Sequence, residues 1–397
     1  MSSRPGIGEL VSRLRKFGVA DLSRRVVRRL YNRLDVESLG FPLFAEDIAD
    51  STRMSPWVIP TVAEGPITVG WVASAPSAGS GGHTTLFRMV AGMEERGHRC
   101  ILFLYDRHTG DLARHEAVVR ENWPGMKAEI RMATDGIDGA DAYVASSWES
   151  AHVLASRAHG PGARHYFIQD FEPYFAPRGS LYALAEDSYR LGFGNIALGD
   201  MVANELAVRG IESTVAPFGC DTDVYSRSND GARSGVVFYT KPAVDRRGYL
   251  LGKAALEEFH VRHPEQPIHL YGDPVEEWSI PTTRHERLSP ARLNELYNGA
   301  VAGLAMSFTN ISLVAEELLA AGAVPVINDS PLSRADLRNP YAEWGVPTAG
   351  GIADALCRVV EREDMLKRSQ AAAESVRHGW GEAQQIVADT IVASVRP

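Results

Sequence analysis

Residues 67 to 105 read ITVGWVASAPSAGSGGHTTLFRMVAGMEERGHRCILFLY. Ile67 to Ser74 is a β-rich run, a glycine cluster follows it, Thr84 to Glu95 has helical spacing, and Arg99 to Tyr105 is a second β-rich run. Strand, glycine turn, helix and strand in that order predict a βαβ unit. Further short apolar runs at 128–132, 142–146, 165–168, 196–198 and 214–217 alternate with helical segments, so the first domain should hold a mostly parallel, Rossmann-like sheet. A second series begins after the polar stretch 226–235, with strands at 236–239, 268–271, 301–306 and 324–327. Helices at 250–263, 290–298 and 313–321 fall between them. The fold class expected is therefore α/β, with two Rossmann-like domains facing each other across a cleft and ligands at the carboxyl ends of the strands.

The 397-residue length favours two domains, and 45% hydrophobic with 23% charged residues is the composition of a globular chain. The expected division is 1–64, a basic helical extension and linker; 65–225, a first Rossmann-like domain; 226–375, a second Rossmann-like domain; and 376–397, a helix packing back on the first domain. Cys100, Cys220 and Cys357 are too few and too scattered for a disulfide framework or a zinc cluster, and no apolar run is long enough to span a bilayer. A cytoplasmic location is expected. A net charge of −9 excludes general nucleic-acid binding. The segment between residues 4 and 35 is the basic exception, and its apolar residues recur at helical spacing. It reads either as an amphipathic helix lying on the inner face of an anionic membrane, or as a helix packed on the domain with a solvated face.

Several residue groups can carry chemistry. Gly79, Gly81 and Gly82 stand between a strand and a helix, with His83 beside them, where backbone N–H groups can hold an anion or a sugar-phosphate edge. The alternative for the glycines is a tight turn without ligand contact. Lys241 and Arg246 lie five positions apart after the strand ending at Tyr239, a spacing suited to neutralising a diphosphate. Alone they would read as two solvated cations. They are joined by Asn310, Ile311, Ser312 and Leu313, whose N–H groups open a helix toward the same cleft, and by Glu317, one turn further on, whose carboxylate can accept from two ribose hydroxyls. Tyr239 and Gly272, at the ends of their strands, complete the donor-side candidates. On the other side, Gln169, Asp170 and Glu172 follow a strand end; Asp170 either orients or deprotonates an acceptor hydroxyl or serves as a turn residue. Asp221-Thr222-Asp223 resembles a metal-binding D-x-D but falls where the chain leaves the first domain, and is read as a cap on the crossover turn. No His pair has metal-ligand spacing, so the histidines do not point to a metal site.

The order of these motifs resembles the retaining GT-B glycosyltransferases of family 4, over roughly residues 65 to 375. Gly81-Gly82-His83 with Arg96-Gly97-His98 is similar to that family's first βαβ unit, and Pro217 to Asp223 resembles its interdomain turn. Ser312, Leu313 and Glu317 to Gly322 resemble its S-x-x-x-x-E-x-x-A-x-G segment, in which the glutamate binds the ribose. At position 309, where the family pattern has an acid, this chain has Thr309. Tyr166 to Phe175, Ala185 to Tyr189 and Phe238 to Pro242 resemble bacterial rhamnosyltransferases that use dTDP-L-rhamnose in surface polysaccharide synthesis. The resemblance implies a metal-independent transfer with retention and without a cofactor, from a nucleotide-diphosphate sugar to a saccharide or lipid-linked saccharide; the residues expected to be catalytic are Asp170, from its place at the strand end, and Lys241, Arg246 and Glu317.

Two rivals follow from the same residues. A nicotinamide-dependent oxidoreductase would bind its nucleotide at Gly79 to Gly82 with Asp106 on the ribose, although Thr84 occupies the third glycine position of the fingerprint. A non-catalytic nucleotide-sugar sensor or a scaffold at the membrane is the second rival, kept open by Thr309 at the position where the family pattern has an acid.

Overall fold

The computed structural model describes residues 41–108, 110–285 and 288–396. The basic helix expected between 4 and 35, and with it the membrane surface, lies outside them. Residues Glu46–Pro397 form one unit. Its first sheet has β1 (Thr68–Ser74), β2 (Arg99–Tyr105), β3 (Glu129–Met132), β4 (Ala142–Ala145), β5 (Ala163–Ile168), β6 (Gly194–Leu198) and β7 (Thr214–Ala216), ordered β3-β2-β1-β4-β5-β6-β7. Every neighbouring pair is parallel. Helices α1 (Gly81–Glu95), α2 (Leu112–Asn122), α3 (Trp148–Arg157), α4 (Ser180–Ser188) and α5 (Asp200–Val208) make the crossovers.

The second sheet contains β8 (Val236–Thr240), β9 (Ile268–Gly272), β10 (Thr283–Arg284), β11 (Ala302–Leu304), β12 (Val324–Asn328) and β13 (Glu343–Gly345), ordered β10-β9-β8-β11-β12-β13 and again parallel throughout. Its helices are α6 (Tyr249–Arg262), α7 (Pro290–Gly299), α8 (Leu313–Ala320), α9 (Pro331–Asp336), α10 (Ala349–Val360) and α11 (Met365–Ser375). Strand order reverses between β1 and β4 in one sheet and between β8 and β11 in the other, and loops diverging from a reversal leave a crevice at the strands' carboxyl ends. Gly81 to His83 follow β1, Lys241 and Arg246 follow β8, and Asn310 to Ser312 follow β11, at those reversals, whereas Gln169, Asp170 and Glu172 follow β5 and Gly272 ends β9.

The chain then returns. Helix α12 (Gly381–Ala393) lies on α1, its Gln384 Nε2 donating to the Arg88 carbonyl at 2.8 Å, and Ala383, Val387, Ala388 and Ile391 are buried in the first domain's core. The outgoing and returning connecting segments touch where the Cys220 N–H donates to the His378 carbonyl at 3.0 Å.

Element boundaries differ from expectation in instructive places. Helix α1 begins at Gly81 rather than Thr84, because Ser80 is its N-cap and the glycines form its first turn. The apolar run 301–306 contributes only Ala302–Leu304 as strand; the chain then turns out of the sheet to build a cleft loop. The two-residue β10 and three-residue β13 were not legible, since edge strands this short carry no periodicity.

Gly303 in β11 shows why α8 can lie flat on the sheet. A Cβ there would come within 2.6 Å of Leu318 Cδ2 and 2.9 Å of Val237 Cγ2. Gly303→Val is expected to destabilise the protein by about 1–3 kcal/mol through overpacking, read as a lower denaturant midpoint with an unchanged slope. An unchanged midpoint would mean that α8 is not held against β11.

Candidate functional site

Four loops leave strand ends to line the cleft. After β5 come Gln169 and Asp170; after β8 come Lys241 and the turn Asp245–Arg247; after β9 comes Asp273; and after β11 come residues 305–312. The Phe308 N–H donates to the Arg246 carbonyl at 2.9 Å, tying the second of these loops to the last. Asn310 Nδ2 donates to the Gln169 carbonyl at 2.8 Å, which joins that last loop to the opposite domain.

The structure pairs each cation singled out in the sequence with a carboxylate. Lys241 Nζ donates to Asp273 Oδ1 at 2.8 Å and lies 5.5 Å from the centre of the Tyr239 ring. Arg246 Nη1 meets Asp170 Oδ2 at 3.3 Å, and its guanidinium stacks at 4.3 Å over Phe175. Asp170 is itself buried, and burial raises its carboxyl pKa, an effect opposed by Arg246, Arg247, Thr309 and the Asn310 N–H.

Arg247, which the sequence reading passed over, belongs to the same place. Its Nη1 donates to Ser307 Oγ at 2.9 Å, and burial together with the neighbouring Arg246 lowers its pKa to about 10. Ser307 is fixed in turn, its N–H donating to Asn328 Oδ1 at 2.9 Å and its carbonyl accepting from Asn328 Nδ2 at 2.7 Å. Two adjacent guanidiniums with a single carboxylate between them leave a net positive charge in a partly desolvated loop, and an anion satisfies it. Adjacency to Arg246 was the signal available in sequence. A three-residue turn gives no period to say which way each arginine points.

Glu317 stands on α8 in a tyrosine-rich corner. The Tyr297 hydroxyl lies 3.5 Å from Glu317 Oε2, the Tyr271 and Tyr297 hydroxyls are 2.6 Å apart, and Tyr239 stacks on Tyr271 with centroids at 5.1 Å. Burial pushes the Glu317 carboxyl up to about 7; Arg88 pulls it down, while Asp221 and Glu316 push it up. Arg88, from α1 of the first domain, was not identified in the sequence. It is hydrogen-bonded to Asp221 and stacks at 4.7 Å on Trp380, while its buried Nη1 has no hydrogen-bond partner. Asp221 does close the crossover turn, its carbonyl accepting from the Val224 and Tyr225 N–H groups at 2.9 and 2.8 Å. Its carboxylate is hydrogen-bonded to Arg88. Nothing in the spacing of Arg88 and Asp221 announces their meeting.

The remaining candidates divide. Gly81 and Gly82 have open space where a side chain would stand, with Gln169 Oε1 3.9 Å from a Cβ at Gly82. Both ring nitrogens of His83 are engaged, Nε2 with the Ser74 carbonyl at 3.0 Å and Nδ1 with Ser80 Oγ at 2.8 Å, so His83 holds the loop to its helix. Gly272 has φ +112°, and a Cβ there would press within 2.8 Å of the Tyr239 ring. Ser312 is the N-cap residue of α8 but its side chain makes no capping bond; Ile311 and Ser312 are buried, Leu313 is half-buried, and the buried Asn310 Oδ1 has no partner. Glu172 corrects the expectation of a substrate-binding carboxylate at the cleft rim. It is turned inward, accepting from the Trp148 N–H and from the Tyr166 hydroxyl at 2.9 Å, and burial beside Glu149 raises its pKa well above the usual range. The apolar stretch around it makes an inward carboxyl a structural hydrogen-bond acceptor.

Away from the cleft, His263 follows α6 and both its ring nitrogens face carboxylates, Glu265 at 3.2 Å and Glu361 at 3.1 Å. Among the described residues no helix is long and apolar enough to cross a membrane.

No family model matches the chain. An alignment of 287 residues, 67% of this chain, is 30% identical to the O-antigen biosynthesis protein RfbC of Myxococcus xanthus. It covers 22% of that protein, so the chain spans less than a quarter of the length of the curated relative it matches. Among solved structures, a glycosyltransferase from Rickettsia africae superposes with a TM-score of 0.59 at 12% identity over 82% of this chain and 99% of the other. HepE from Anabaena, solved in complex with UDP, gives 0.62 at 13% identity over 82% and 100%. The chain has the GT-B fold that glycosyltransferases use: two Rossmann-like domains with a cleft at the carboxyl ends of both sheets.

Proposed function

We propose that this protein is a glycosyltransferase that binds a nucleotide-diphosphate sugar in its second domain and passes the sugar to a saccharide or lipid-linked saccharide acceptor entering from the first. The observation that carries the reading is the loop after β8, where Lys241, Arg246 and Arg247 bring three cations to a strand end beside the opening of α8, with Glu317 one turn along that helix. The cations suit the diphosphate, the α8 amides its oxygens, and Glu317 the ribose hydroxyls. The name of the Myxococcus relative supports a place in surface polysaccharide synthesis, and the UDP complex of HepE supports a nucleotide ligand for a protein of this fold. The donor proposed from the sequence resemblance is dTDP-L-rhamnose, with retention. In a front-face attack the bond from the anomeric carbon to the diphosphate breaks, a bond to the acceptor oxygen forms on the same face, and the acceptor's proton passes to the departing phosphate oxygen. Lys241, Arg246 and Arg247 stabilise the charge that develops there, and the proposed transfer needs no metal.

The oxidoreductase reading is disfavoured by Asp106. Its carboxylate accepts from the His108 and Gly110 N–H groups at 2.8 and 3.1 Å and faces His115 Nε2 at 3.0 Å, so it is committed to its own loop. Calorimetric titration with dTDP, UDP and GDP tests the proposal, with dTDP expected to bind tightest. Folded protein that binds none of the three would overturn the second-domain site.

A further inference from the structure

The Asp170 carboxylate is saturated. A carboxylate offers about four lone-pair directions, and here each is met. On Oδ1 it accepts from the Phe171 N–H at 2.9 Å and the Asn310 N–H at 3.3 Å; on Oδ2 it accepts from Thr309 Oγ1 at 2.7 Å and Arg246 Nη1 at 3.3 Å. Three of the four donors belong to the second domain, although Asp170 follows a strand of the first. Thr309 is only 1% exposed, so its hydroxyl has no solvent to turn to. As the site stands, a substrate hydroxyl reaches Asp170 only by displacing a donor. Of the four donors, Arg246 is the one with a competing demand, since a diphosphate draws a guanidinium more strongly than a single carboxylate does.

We propose that Thr309 is a positioning residue that holds Asp170 in the donor pocket, and that the donor's diphosphate, by drawing Arg246 to itself, frees the Oδ2 lone pair that then accepts from a substrate hydroxyl. This rests on the nucleotide-sugar reading of the cleft. It gives Thr309 a definite task and makes the acid of the pocket a contribution of the opposite domain. The donor thereby prepares the carboxylate that its own sugar or the acceptor meets, and an empty cleft keeps that carboxylate covered. The charged and titratable groups that act on Asp170 are Arg246 and Arg247 from the loop after β8, Glu172 on its own loop, Tyr189 beyond α4, and Asp336 of α9.

The test uses the whole protein with three variants and three readouts: calorimetric titration with the nucleoside diphosphate, the pH profile of sugar transfer, and a thermal melt. Thr309→Val is expected to cut turnover about tenfold, the loss of one hydrogen bond to a buried charge. The acid limb of its profile should move to higher pH, because the ionised carboxylate loses a donor. Thr309→Ser should restore both, and nucleoside diphosphate affinity should stay within about twofold in each. Asp170→Asn should bind the nucleoside diphosphate at least as tightly as the wild type, since Arg246 is released, while turnover falls about a hundredfold. Thr309→Val with lower stability but an unmoved pH profile would reduce Thr309 to a structural role and overturn the inference, as would weaker nucleoside diphosphate binding by Asp170→Asn. A wild-type protein that binds no nucleoside diphosphate would instead remove the underlying site, and this inference with it.

Discussion

Lys241→Ala is expected to lower sugar transfer by about 10²–10³-fold, on the order of 3–4 kcal/mol of transition-state stabilisation, while leaving the fold intact. The two halves of that expectation have different origins. Lys241 sits at a strand end, and its pair with Asp273 at 2.8 Å is partly open to solvent, with side-chain exposures of 27% and 41%. A pair of that kind contributes at most about 1 kcal/mol to folding, so the melting temperature should scarcely move. Its charge matters far more when a sugar leaves a diphosphate, because the departing oxygens gain charge in a cleft where water is partly excluded. Single-turnover kinetics beside a thermal melt separate the two. Full turnover in Lys241→Ala would refute the assignment of the diphosphate to the loop after β8, and a collapsed melt would make Lys241 a structural residue.

Glu317 carries the second large effect, and the expected result has two opposed parts. Glu317→Gln should weaken nucleoside diphosphate binding about tenfold to a hundredfold, the worth of a charge-assisted hydrogen bond to hydroxyls. It should also make the unliganded protein more stable at pH 8. Burial raises the folded-state pKa from 4.5 to about 7. A carboxyl whose pKa rises on folding binds its proton more tightly when folded. Its contribution is therefore most favourable below about 4.5 and is lost as pH climbs through about 7. Glutamine never ionises and escapes that loss. In the wild type the same carboxyl should make nucleoside diphosphate affinity rise between about pH 6 and 8, as the ionised form becomes available to accept hydrogen bonds. Arg88, Asp221, Tyr297 and Glu316 set this titration, with Arg88 as the stabilising cation. Calorimetric titration across that range, with denaturant unfolding of both proteins at pH 8, checks it. Affinity in Glu317→Gln equal to the wild type would remove Glu317 from the ribose site.

The particular elements show what was readable and why. Alternating apolar runs and helical stretches from Ile67 onward specify parallel sheets because a strand buried on both faces must be apolar along its length, and its crossover must be long enough for a helix. The positions of the glycines that open α1, of the Lys241 and Arg246 pair and of the helix carrying Glu317 were legible because each element follows a strand, and this architecture collects ligands at strand ends. Local chemistry in sequence sufficed for those. The inward turn of Glu172 was not legible, since its meeting with the Trp148 N–H depends on how α3 packs against the loop after β5.

By itself, then, the sequence determined the two parallel α/β layers and the strand ends that carry the candidate site, because periodicity and glycine placement are properties of the chain read in order. Only the tertiary structure decided which charges meet: Asp170 with Arg246 and Thr309, and Arg88 with Asp221 near Glu317. Those partners are 76, 139 and 133 positions apart. Hydrogen bonds and ion pairs act over a few ångströms, so no local pattern can encode a meeting that exists only once two domains have folded against each other.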